Sequence, residues 1–113
     1  GKYDEAIVTY RKADNPPDNL FGIADCLRRK GQLNAALGQL REIENFFPKG
    51  NNDSRAALVA AHYYRDAKQQ DNYIASLRRV LQKYPKSPHS SRAHQELERL
   101  GERIGGGVDT PES

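Results

Sequence analysis

The sequence predicts an all-α protein: about six helices in antiparallel helix pairs, repeated along the chain as a superhelical solenoid. Three observations carry this expectation. Breakers divide the chain into stretches of helical length: Asn15-Pro16-Pro17, Gly31, Pro48-Lys49-Gly50-Asn51-Asn52 and Pro85-Lys86-Ser87-Pro88. Between the breakers, apolar residues return every three or four positions, which is the period of one helix face. Strand signals are nearly absent, since β-branched residues are scattered and no alternating run appears.

The expected helices follow in order. The first covers about 2–14 and carries Ile7 and Tyr10. The second covers about 17–30, with Leu20, Ile23, Ala24 and Leu27 on one face. The third covers about 33–46, with Leu33, Ala36, Leu37, Leu40 and Ile43. The fourth covers about 53–67, with Ala57, Ala60, Ala61 and Tyr64. The fifth covers about 70–83, with Tyr73, Leu77, Val80 and Leu81. The sixth covers about 88–104, with Ala93, Leu97, Leu100 and Ile104. Asn52 or Asp53 is expected to cap the fourth helix. Ser87 before Pro88 places a cap ahead of a proline at the first helical position. Gly105 suits the stop of the last helix, and residues 105–113 are expected to form a flexible tail.

Composition agrees with a thin, wet architecture. Hydrophobic residues make up 36% and charged residues 29%, with a mean hydropathy of −0.90. That is polar for a globule and too apolar for a disordered chain. In a helical solenoid each unit touches only its neighbours, so much side-chain surface stays hydrated. The net charge of +3 comes from basic and acidic residues interleaved along the chain, a pattern of solvated helix faces rather than of a nucleic-acid footprint. The single cysteine, Cys26, excludes an internal disulfide. No apolar run approaches a membrane span.

Self-similarity is the strongest signal. Residues 20–48 read Leu20-x₂-Ile23-Ala24-x₂-Leu27, then Ala36-x₃-Leu40, then Pro48; residues 57–85 read Ala57-x₂-Ala60-Ala61-x₂-Tyr64, then Tyr73-x₃-Leu77, then Pro85. The opening phrase Gly1-Lys2-Tyr3-Asp4-Glu5-Ala6 returns as Gly31-Gln32-Leu33-Asn34-Ala35-Ala36. Small residues let paired helices approach, larger ones fill the space between pairs, and proline ends the second helix of each pair. The order and spacing resemble the tetratricopeptide repeat. On that resemblance residues 1–104 comprise a half repeat, two full repeats and a C-terminal capping helix. The chain departs from the pattern where Tyr73 replaces a small residue and Lys68 stands in the place of Gly31. Pro48 and Pro85 lie 37 residues apart, more than the usual spacing of about 34. With Lys83-Tyr84-Pro85-Lys86-Ser87-Pro88 and the closing Ala93, Leu97, Leu100 helix, this spacing is similar to bacterial envelope proteins of the outer-membrane-assembly lipoprotein and Tol-Pal coordinator type. In those proteins such repeats dock partners in the periplasm.

No catalytic, cofactor-binding or metal-binding residue is predicted. His89 and His94 are five apart, off a shared helical face, and neither they nor His62 has a completing ligand set. Cys26 has no neighbouring base and reads as a small buried hydrophobe. Gly105-Gly106-Gly107 follows a helix rather than preceding one, which is the wrong context for a phosphate loop.

The resemblance implies a function in protein binding, with the first helix of each repeat lining a concave groove. Stepping one position from the core residues Leu20 and Ala57 gives Phe21 and Leu58; the same face then carries Asp25, Arg28, Arg55, His62 and Arg65, and Asp18. These seven residues, from Phe21 to Arg65, are the expected partner site. Phe21 and Leu58 either anchor a partner or pack against the neighbouring second helix. Arg28, Arg55 and Arg65 suit an acidic partner segment. The resemblance does not extend to the chaperone-tail carboxylate clamp, which uses Lys and Asn where this chain has Phe21 and Asp25. Two alternatives are self-assembly into homo-oligomers and a nucleic-acid-binding repeat through Arg28-Arg29 and Arg78-Arg79. The chain opens on a second-helix phrase, which reads as part of a longer array whose edge, Ile7 and Tyr10, recruits another copy.

Overall fold

The computed structural model describes residues 1–101. Six α-helices follow one another: α1 (Lys2–Lys12), α2 (Asp18–Arg29), α3 (Leu33–Phe46), α4 (Asn52–Asp66), α5 (Gln70–Lys83) and α6 (Pro88–Leu100), with a 3₁₀ turn, Lys49–Asn51, before α4. The predicted all-α repeat architecture is therefore present. The expected end of the last helix at Ile104, its stop at Gly105 and the tail 105–113 lie outside the described residues.

The turns explain where the helices stop. α1 leaves helical geometry at Ala13, whose ψ is 139° and whose N–H still bonds Thr9 O and Tyr10 O, so the helix ends two residues earlier than expected. Asn19 then donates its side-chain amide to the carbonyls of Tyr10 and Ala13, at 3.1 and 3.3 Å, which satisfies acceptors that the end of α1 leaves open. Between α2 and α3, Gly31 adopts φ 85°; its N–H bonds Arg28 O, and Gln32 N–H bonds Leu27 O. Between α4 and α5, Lys68 adopts φ 64° and repeats the two bonds, to Arg65 O and from Gln69 to Tyr64 O. The departure at Lys68 thus leaves the turn intact and places a side chain where glycine is favoured. Gly101, at φ 76°, closes α6.

Of the two expected N-terminal caps, one changes. Asn52 turns its amide back to Lys49 O at 3.0 Å, and Asp53 accepts from the adjacent Ser54 N–H at 2.7 Å, so neither reaches the helix as an ordinary cap. Asn51 stands before α4 in left-handed geometry with no side-chain cap bond. Ser87 behaves as expected: its hydroxyl accepts from His89 N–H at 3.0 Å, with Pro88 opening α6.

The helices form two layers in a body of 53 × 29 × 16 Å. Each helix packs on the next, and α4 also touches α6. Side-chain bridges run from α2 to α4 through Arg55 and Asp18, and from α4 to α6 through His62 and Glu96. On the other side Glu44 of α3 reaches Arg79 of α5. One layer is therefore α2, α4 and α6, the other α1, α3 and α5. Three apolar clusters fill the space between: Ile7, Ile23 and Cys26; a central group around Ala24, Ala36, Leu40 and Ile43; and a third around Ala61, Tyr73, Leu77, Val80 and Leu97. Ala24, Ala36 and Ala61 are fully buried, as expected of residues that set the close approach of paired helices. Burial pushes the Cys26 thiol pKa up, away from nucleophilic reactivity.

Candidate partner-binding surface

The layer of first helices presents one column of positions every 37 residues. Positions 18, 55 and 92 read Asp, Arg, Arg; positions 25, 62 and 99 read Asp, His, Arg. Neighbouring helices of this layer meet through these side chains. Arg55 lies 3.8 Å from Asp18 and stacks its guanidinium 3.9 Å from the centre of the Phe21 ring. Arg28 pairs with Asp25 at 2.8 Å, approaches Asp66 at 3.8 Å and sits over the Tyr63 ring. Asp25 also receives Arg29 at 2.8 Å. The Arg28 and Arg29 pairs hold the Asp25 carboxyl below its usual range, against the opposing effect of burial.

The structure bears on two expectations at this surface. Phe21 and Leu58, expected either to anchor a partner or to pack against a helix, are only 9% and 7% exposed. Phe21 belongs to the central cluster, with residues of α3 and α4, and Leu58 to the third, with residues of α5 and α6. The physical reason is packing: the side of a first helix one step from its pairing face is covered by helices of both layers, not by solvent. Of the alternatives open in the sequence, packing within the fold is the one realised. Arg28 and Arg55, expected to be open cations, already face acids of the same chain. Arg65 is looser, 3.2 Å from the adjacent Asp66 and 6.0 Å from the Tyr73 ring centre, with both charged groups half exposed.

His62 leads to a feature not legible as a site in the sequence. Its Nε2 lies 2.8 Å from the carboxylate of Glu96, whose side chain is 5% exposed. Tyr73 donates its hydroxyl to the same carboxylate at 2.6 Å, and Arg92 donates Nε at 2.7 Å. Burial alone would raise the Glu96 pKa; the bonds from Tyr73, Arg92 and His62 outweigh it and hold the group ionised below its ordinary range. Burial and the bond to Glu96 in turn push Tyr73 up to about 12. The departure at Tyr73 is thus coupled to Glu96. Tyr73 stands where Ala36 stands one repeat earlier, and Glu96 stands 37 residues after Val59. In the other layer, Glu44 accepts from Arg79 and Tyr84 and pairs with Lys83. Here too those partners, Arg79 and Tyr84 foremost, overcome burial and lower the carboxyl pKa.

Among the described residues no group of three His, Cys, Asp or Glu is placed to hold a metal ion, and no helix is long and apolar enough to cross a membrane. The two-layer stack of helix pairs defines a tetratricopeptide-like helical repeat protein. A tetratricopeptide repeat family model matches residues 60–87, from the second half of α4 through α5 to the Ser87 cap, and supports placing the chain among tetratricopeptide repeat proteins. No curated protein and no solved structure matches the chain.

Proposed function

We propose that this chain is a scaffold that holds a partner protein on the face built by α2, α4 and α6. The observation that carries the reading is the alignment of three first helices, joined side to side by Arg55 with Asp18 and His62 with Glu96. Such a layer presents recurring positions along one surface, suited to an extended or helical segment. The family resemblance of residues 60–87 supports the same reading, since these repeats serve interaction rather than catalysis. Polar residues at Asp25, Arg28, Arg55, His62 and Arg65 form the expected rim; Phe21 and Leu58 support it from beneath. An envelope setting, with docking in the periplasm, rests on the phrase Lys83 to Pro88 and its likeness to envelope repeat proteins.

The test is face dependence. A photo-crosslinking residue at Asp25 or Arg65 on this face is compared with one at Glu42 on α3. A partner adduct from the first pair that is absent at Glu42, and is lost in Arg65→Glu with helicity retained, supports the scaffold. Equal adducts from both faces overturn it.

A second reading, self-assembly, draws on α1. Val8 is 51% exposed, and Tyr3 and Tyr10 are also open, an apolar edge that suits another copy. Sedimentation at micromolar protein checks it: a monomer whose behaviour is unchanged by Val8→Lys removes this reading.

A further inference from the structure

The charge along the face of first helices is balanced at α2 and leans positive toward α6. α2 contributes Asp18 and Asp25, α4 contributes Arg55, His62 and Arg65, and α6 contributes Arg92 and Arg99. At the α2 end both arginines are answered: Arg28 by Asp25 and Asp66, Arg29 by Asp25. At the α6 end basic side chains lead. Arg65, Arg92 and Arg99 line one crevice between α4, α5 and α6, together with Tyr73, Glu96 and Leu100. Arg92 is taken by Glu96, and Arg65 leans on an exposed neighbour. Among the described residues no acidic group pairs with Arg99. Leu100 beside it is exposed.

We propose that this crevice is the acid-recognising subsite of the scaffold face, taking a partner's carboxylate side chain that stands next to an apolar residue. The proposal rests on the scaffold reading and specifies its partner. The volume of about 260 Å³ lies just below the range of about 300–1,000 Å³ typical of small-molecule sites, a size for one or two side chains of a docked segment. Arg99 and Arg65 offer planar guanidinium donors to the carboxylate, and Leu100 covers the adjacent apolar group. Glu96 in the wall limits how much negative charge the crevice accepts. That selects a single carboxylate of a protein over the regularly repeated phosphates of a nucleic acid, which also lacks an exposed stacking platform here. At the far end Arg28, Arg29 and Arg55 already face Asp25 and Asp18, so the segment's acidic part lies toward α6.

The experiment is an NMR titration of the whole chain at low salt, reading the arginine Nε–H signals and the Leu100 methyl groups. The probes are acetyl-Glu-Leu-Glu-Leu-Glu-amide, its counterpart with glutamine for each glutamate, and octathymidylate. The expected result is saturable shifts at Arg65, Arg99 and Leu100, with smaller ones at Arg28 and Arg55. Affinity falls by about two- to fivefold for Arg99→Gln, the size expected of one rim charge, and by more for the glutamine peptide, which loses every carboxylate. Arg99→Gln leaves the melting temperature unchanged, because the side chain is exposed. Absence of saturable shifts at the crevice, unchanged affinity in Arg99→Gln, or octathymidylate saturating these signals at lower concentration than the peptide each overturns the subsite. Shifts confined to α2 and the start of α4 also overturn it while leaving the scaffold reading intact, since that reading is judged separately by crosslinking from the two faces.

Discussion

Tyr73 donates its hydroxyl to Glu96 across 2.6 Å, and through this bond the second helix of one repeat holds the first helix of the next. His62 and Arg92 complete the shell of the buried carboxylate. A buried charge with all its partners is tolerated, but loss of one partner leaves the others unsatisfied. Tyr73→Phe is therefore expected to lower stability by about 1.5–3 kcal/mol, the range for a hydrogen bond to a charged group. Glu96→Ala is expected to cost about 3 kcal/mol or more, since it also opens a void beside Leu97. Urea denaturation of the two variants measures both values, and Tyr73→Phe equal to the parent chain would show the bond to be idle.

The two buried carboxylates set the acid limb of stability. Both Glu96 and Glu44 have folded pKa values below the ordinary 4.5. A group depressed on folding binds fewer protons in the native state, so its contribution is fully present above the ordinary value. It is lost as pH falls from about 4.5 through the folded pKa. Stability measured by denaturation is expected to be flat above this window on their account and to fall within it. Glu44→Gln is expected to shallow that fall while lowering stability at neutral pH.

Lys68 holds φ 64° in the turn where Gly31 holds φ 85°. A side chain in left-handed geometry costs about 1–2 kcal/mol, whereas glycine adopts it without that strain. Lys68→Gly is expected to stabilise the chain by about 0.5–1 kcal/mol, after the loss in unfolded-state entropy is set against the relief of strain. Gly31→Ala is expected to destabilise by about 1 kcal/mol. Opposite shifts in the two thermal melts are the signature.

A methyl group at Gly22 would lie 2.5 Å from the Tyr10 ring. Gly22 thus gives α1 room to lie against α2, and Gly22→Ala is expected to push Tyr10 aside and loosen α1. The gain in helix propensity, about 1 kcal/mol, then appears only when Tyr10→Ala removes the obstacle. Hydrogen exchange of the α1 amides across the double-mutant cycle measures this: faster in the single Gly22→Ala variant, with stability recovered in the pair.

The helices, their order and their pairing are legible in the residues alone. Helical periodicity between Pro17, Gly31, Pro48 and Pro85 is a local property, and Ala24, Ala36 and Ala61 announce close helix pairs because only small side chains permit them. Ser87 ahead of Pro88 announced its cap for the same local reason. Which residues face solvent on the first-helix layer was decided only by tertiary structure. Phe21 and Leu58 share a helix face with Asp25 and Arg65, yet neighbouring helices cover them, and the angle between stacked repeats has no signature in one helix's periodicity. The same holds for Glu96, which joins His62 and Tyr73 across more than twenty residues of chain. Charge pairing at that range depends on where three helices meet, and only the folded stack sets that distance.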